Sequence, residues 1–240
     1  MAAFKLNDAD ITAAVGQAFV VVEKQVRFAA SLALTRTAGV VRDELNREMR
    51  SIFDRPNPYT LNSLRIVPST KQTLEAKVWF KDPPSGLHYL EPQVYGGGRQ
   101  VKRFEKNLHR VGQMPAGWFA IPTSAARTDA YGNISVGQLN QILSALRAFP
   151  EVGYLANRTR DPRRAKRNQP EFVVIGPGGS RPPGVYQRWP NGGFARVLAF
   201  VPSVSYRKRF DFFGIAQRVV AREMAGQFEK ALLEAKASAW

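Results

Sequence analysis

Apolar and small side chains recur along the N-terminal stretch at Ile11, Val15, Ala18, Val22, Val26, Ala29, Ala33, Val40, Leu45, Met49 and Ile52. Most steps are three or four residues, or sums of them, which is the period of a helix with one apolar side. Residues 7–53 therefore read as one long amphipathic helix. Asn7, Asp8 and Asp10 place capping oxygens and negative charge at its start. Gly16 and Gly39 weaken it, and Gly39 marks a candidate break. Pro56 and Pro58 end it, because proline disfavours helical geometry in the residue before it. Unbroken, such a helix is about 70 Å long. A helix of that length must lie across a sheet, project from the body or pack on another subunit.

The period changes to two after Tyr59. Leu64, Ile66 and Val67, then Leu74, Ala76, Val78 and Phe80, predict a β-hairpin over 59–80, turning at Ser69–Gln72. Residues 81–170 show no long period. Pro83-Pro84 and Gly96-Gly97-Gly98 interrupt them, with short helices predicted over 101–110 and, capped by Ser135, over 135–149. The β pattern returns at Phe172–Ile175, Val185–Trp189 and Phe194–Val201, the last two joined by Asn191-Gly192-Gly193 as a hairpin turn. Phe213, Ala216, Val220, Met224, Phe228 and Ala231 predict a second amphipathic helix over 211–236. Antiparallel strands between terminal helices imply an α+β fold. The expectation is a single domain, 1–240, with long N- and C-terminal helices on a small antiparallel sheet and 81–170 as a large irregular insertion.

Charge sharpens this picture. The 240 residues carry 35 Lys+Arg against 19 Asp+Glu, a net +16. Such an excess favours a polyanionic surrounding, most simply nucleic acid, through counterion release. An acidic protein or an anionic membrane surface would give the same composition. The longest apolar run, Ile11 to Val22, is too short to span a bilayer, and a secretory signal is not expected. With no cysteine and only His88 and His109, disulfides, a cysteine nucleophile and a histidine-rich metal site are excluded.

Candidate chemistry is sparse. Ile175-Gly176-Pro177-Gly178-Gly179 follows a strand, but a phosphate loop must lead into a helix, and here another strand follows. It reads as a turn, and Gly96-Gly97-Gly98 is set aside because no strong strand precedes it. Asp54, Glu75 and Lys77 loosely fit the D…E-x-K arrangement of a metal-dependent nuclease, two carboxylates for a divalent cation and a lysine for the scissile phosphate. Solvent-facing charges on a hairpin give the same spacing. His88 and His109 have no nucleophile motif near them and read as packing or surface histidines.

Two basic stretches remain. One runs from Arg99 to Arg110 and includes Arg99, Lys102 and Arg103. The other holds Arg158, Arg160, Arg163, Arg164, Lys166 and Arg167 within ten positions. Phe104, Tyr154 and Trp189 lie near them in sequence, the ingredients of a single-strand stacking surface. No base-reading motif accompanies them. They read either as solvated faces or as DNA- or partner-facing residues that contact phosphate without sequence preference.

The long Ala/Val-rich N-terminal helix, its exit Phe53-Asp54-Arg55-Pro56-Asn57-Pro58-Tyr59-Thr60, and Pro183-Gly184-Val185-Tyr186-Gln187-Arg188 together resemble tailed-bacteriophage minor tail proteins. They are similar to the family of the lambda-type tail completion protein Z, with its related neck and head–tail joining proteins. Tyr131-Gly132-Asn133, leading into Gly137-Gln138-Leu139, is similar to segments of prophage-encoded proteins of this group. The likeness covers roughly 1–80 and 170–240. It implies a structural ring or collar component of the virion at the head–tail or tail-tube junction, assembled in the bacterial cytoplasm, through which genomic DNA passes. It implies a homo-oligomer beside other neck, portal or tail proteins, with no catalytic residue, cofactor or metal. Val15, Val22 and Val26 on the first helix are then expected at the oligomer interface. The competing expectations are a basic nucleic-acid-binding accessory protein and the metal nuclease above.

Overall fold

The computed structural model describes residues 8–81, 88–149 and 171–237, and for 8–22 the backbone alone. The chain divides into two compact units, Met1–His88 with Phe210–Trp240, and Tyr89–Arg209.

The first unit is built on helix α1, Asp8–Ile52. It runs without a break through Gly39, where a side chain would meet nothing within 4 Å. One glycine costs a helix only about 1 kcal/mol relative to alanine, and packing offsets that. After α1 come the single turn α2, Pro58–Leu61, capped by the Asn57 side-chain carbonyl, and strands β1, Leu64–Val67, and β2, Lys77–Phe80. The strands pair antiparallel, Leu64 opposite Phe80 and Val67 opposite Lys77. The hairpin loop is tied to α1, since the Ser69 amide donates to Thr35 Oγ1 at 3.0 Å.

The C-terminal helix, Phe212–Ala237, labelled α6 in chain order, packs on α1. Ala29 and Ala33 meet Ala231 and Ala235, all four with no exposed surface. Small side chains there let the two backbones approach closely. At the other end Phe53 and Phe210 rings lie 6.0 Å apart, so the helices are antiparallel. Phe210 is fully buried, and its ring forms a three-way cluster with Phe80 and Phe212, at 6.4 and 5.9 Å between centroids. Arg36 donates to both carboxylate oxygens of Glu234 at 2.8 Å, clamping the seam from outside.

The second unit holds a four-stranded antiparallel sheet in the order β3-β6-β5-β4. Its strands are β3 Phe119–Pro122, β4 Glu171–Ile175, β5 Gly184–Arg188 and β6 Phe194–Val201. Among the described residues three helices precede or interrupt it: α3 Glu91–Tyr95, α4 Arg103–Arg110 and α5 Val136–Ala145. Phe104 and Leu108 of α4 and Ile142 and Leu143 of α5 pack on one face, against Ala120, Phe172, Val185, Leu198 and Phe200. Ser135 caps α5 by accepting from the Gln138 amide.

The α+β class and most elements follow the periodicity. The partition does not follow it. The sequence pattern predicts one domain, with 81–170 inserted into a core made by the flanks. Instead β3, from within 81–170, pairs with β6, and strands 171–201 join that stretch in one unit. The terminal helices share their unit with the 64–80 hairpin. β3 escapes a periodicity reading because Phe-Ala-Ile-Pro is only four residues, closed by a proline.

Candidate nucleic-acid interface

The division into units separates the charge. Tyr89–Arg209 contains 19 Lys+Arg and 6 Asp+Glu, a net +13, whereas Met1–His88 with Phe210–Trp240 contains 16 and 13, a net +3. Almost the whole cationic excess therefore belongs to the second unit.

Its basic residues do different things. Arg99, expected on a DNA- or partner-facing surface, is turned inward, with 11% of its side chain exposed. Its Nη1 and Nη2 donate to both oxygens of Glu105, and its guanidinium lies 4.8 Å from the Phe119 ring centroid. Glu105 is completely buried and also accepts from the Lys102 and Ala120 amides at 2.6 and 2.8 Å. Burial alone would raise the Glu105 pKa, but the bonds from Arg99 and from the two amides outweigh it and hold it below the usual carboxylate range. The physical reason is that a buried carboxylate needs a cation, and Arg99 reaches it. Lys102 and Arg103 are exposed at the start of α4. Arg158, Arg160, Arg163, Arg164, Lys166 and Arg167, with Tyr154, lie outside the described residues. Phe104, a stacking candidate by its place in the sequence, is a core residue.

A second group of arginines lies outside the two basic stretches and escapes a reading of charge runs. The face of the sheet opposite α4 and α5 presents alternate strand positions. Tyr186 stands opposite Arg196, and Arg188 opposite Phe194 and Glu171. Tyr186 and Phe194 stack with centroids 4.9 Å apart and planes within 12°. Arg181, from the loop between β4 and β5, lies over Phe194 at 4.9 Å. The two-residue period of Tyr186/Arg188 and Phe194/Arg196 is the signal that could have found them. It puts each aromatic and its arginine on one face. The loop itself, 176–183, joins two antiparallel strands and leads into no helix, in keeping with its reading as a turn.

The nuclease candidates are each neutralised locally. Asp54 pairs with neighbouring Arg55 at 3.2 Å, and Glu75 pairs with Lys77 itself at 2.9 Å, all exposed. Among the described residues no three His, Cys, Asp or Glu side chains are grouped to hold a metal ion. His88 is buried and stacked on Phe80 at 4.6 Å, and His109 Nε2 lies 3.0 Å from the Trp118 carbonyl. Both are packing histidines. No helix among the described residues is long and apolar enough to cross a membrane.

No protein-family model, curated protein or solved structure matches the chain. The functional reading therefore stands on its residues.

Of the expected interface positions on α1, the side chains of Val15 and Val22 lie outside the described residues. Val26 is 41% exposed. The antiparallel seam brings Ala237, the last described residue of α6, roughly level with Phe28. About 30 Å of α1 lies N-terminal to that level at ~1.5 Å per residue.

Proposed function

We propose that the chain is a structural virion protein of a tailed bacteriophage. It is a ring or collar component at the head–tail or tail-tube junction that completes the tail and lets DNA pass. It acts as a homo-oligomer beside neck, portal or tail proteins, in a particle assembled in the bacterial cytoplasm. The observation that carries the reading is α1 itself. It runs for 45 residues, packs on α6 through Ala29 and Ala33, and carries Ile11, Val15, Val22 and Val26 at helical spacing nearer its start, with Val26 41% exposed. A long helix with an exposed valine on its apolar stripe is what an assembly element needs. The charge division supports the same reading, with a near-neutral unit for packing between subunits and a strongly cationic unit for a DNA path.

A second reading, a nucleic-acid-binding accessory protein, is favoured by that charge division alone. The two separate on particles. Particles released by host cells carrying the gene are purified, their proteins identified by mass spectrometry, and the junction region mapped by electron cryomicroscopy. The proposal expects this chain as a ring at the head–tail or tail-tube junction, and non-infectious particles when the gene is deleted. Infectious particles that lack the chain would overturn it.

A further inference from the structure

The outer sheet face of the second unit combines features that no phosphate-loop or metal motif requires. Arg181, Arg188 and Arg196 surround the stacked Tyr186–Phe194 pair. Each is positioned by its surroundings. Arg181 lies on the Phe194 ring, and its loop is anchored where the Tyr186 hydroxyl donates to the Pro182 carbonyl at 2.8 Å. The stem of Arg196 crosses Gly184 so closely that a Cβ there would sit 2.8 Å from its Cδ. Arg188 faces Glu171 at 3.7 Å with both side chains well exposed, a weak pairing that a stronger anion displaces. Among the described residues of the four strands, Glu171 is the one carboxylate at an outer-face position.

We infer that this face binds the phosphate backbone of duplex DNA through Arg181, Arg188 and Arg196. A guanidinium presents a planar fork that matches phosphate oxygens, and one already laid on a ring or strand loses little further freedom on binding. The rings serve as supports and are not open to bases. Tyr186 is 5% exposed, and the Phe194 ring is occupied by Tyr186 and Arg181. A single-strand platform requires free ring faces for stacking. Contact here is therefore to the backbone, independent of sequence, inside a unit whose net +13 attracts a uniform polyanion. The inference deepens the proposed function and rests on it for the presence of passing duplex DNA.

The test uses the full chain and a fluorescein-labelled duplex of about 30 bp, with anisotropy read between roughly 50 and 200 mM salt. Wild-type binding is expected to fall steeply with salt. Arg181→Ala with Arg188→Ala should reduce the slope of log K against log salt by about two, one for each phosphate no longer neutralised. Its melting temperature should be unchanged, and Arg181→Lys with Arg188→Lys should keep most of the slope. Arg207→Ala with Lys208→Ala removes the same charge from the same unit and should shift the slope by less than about half a unit. A single strand of equal length should bind no tighter than the duplex. An unchanged slope in the Arg181/Arg188 variant, or an equal fall in the Arg207/Lys208 variant, would overturn the face assignment while leaving a DNA-proximal role intact. Preference for the single strand, or no duplex binding at the lowest salt, would also overturn it. The particle experiment above fails or succeeds independently of all these outcomes.

Discussion

Arg99 and Glu105 form a two-pronged ion pair, Nη1 to Oε2 at 2.7 Å and Nη2 to Oε1 at 2.6 Å, inside the cationic unit. The same carboxylate closes the start of α4 by accepting the Lys102 amide and holds β3 by accepting the Ala120 amide. One buried charge thus joins the loop after α3, the helix α4 and an edge strand.

Removing either partner leaves the other charged and buried. Arg99→Ala or Glu105→Gln is expected to destabilise the second unit by about 3–5 kcal/mol, measured by denaturant titration. Replacing both by apolar residues should not restore stability, because the Lys102 and Ala120 amides then lose their acceptor. A neutral double variant would show that the pair does not organise these elements. The depressed Glu105 pKa carries a pH signature with a definite sign. Its stabilisation is fully present above the unfolded carboxyl value of ~4.3 and is lost as pH falls through the lower folded value. Acid unfolding monitored below about pH 4 should therefore lose a component in Glu105→Gln.

The alanine seam between α1 and α6 tolerates no added volume. Ala33→Leu or Ala231→Leu should cost about 1–3 kcal/mol by overpacking, read from thermal or denaturant unfolding. Stability equal to wild type would mean that the helices separate at little cost there.

Val26 offers a clean separation of folding from assembly. It is exposed in the isolated chain, so Val26→Asp should change stability by no more than ~0.5 kcal/mol. In assembled particles it should block incorporation, because a ring interface would bury an unpaired charge. Normal incorporation of the variant would remove this part of α1 from the interface.

Gln138 and Gln187 form a buried amide pair, Nε2 of the first donating to Oε1 of the second at 3.0 Å. Gln138 also accepts from the Arg127 amide at 2.7 Å. Gln187→Leu strands the Gln138 amide and should cost about 1–3 kcal/mol. A double-mutant cycle with Gln138→Leu should show coupling, and strict additivity would contradict the pairing.

Gly184 stands at the head of β5 against the Leu198 carbonyl and the Arg196 stem. Gly184→Ala is expected to destabilise the sheet and to disturb Arg196, visible as altered hydrogen exchange along β5 and β6. Unaltered protection would show that the close approach is soft.

How much of this is legible in the sequence depends on the length of each pattern. Helices α1 and α6 announce themselves over many turns, and β5 and β6 by alternation around a glycine turn, where Gly192 takes the left-handed φ of +86°. β3 and α3, four and five residues long, are shorter than any period can reveal. The basic stretch after Gly98 is legible as charge, but not that Arg99 serves Glu105 six positions on.

Local periodicity and composition determined the α+β class, the ends of the two terminal helices, the hairpin turns and the excess of positive charge, because each depends on residues close in the chain. Tertiary structure decided the rest. It joined residues 64 and 80 to a helix that begins at 212, and paired 119–122 with 198–201. It also turned Arg99 inward while setting Arg181, Arg188 and Arg196 around two stacked rings. A charge is the same in sequence wherever it ends up. Whether it meets a buried carboxylate or solvent depends on long-range packing, which no local pattern encodes.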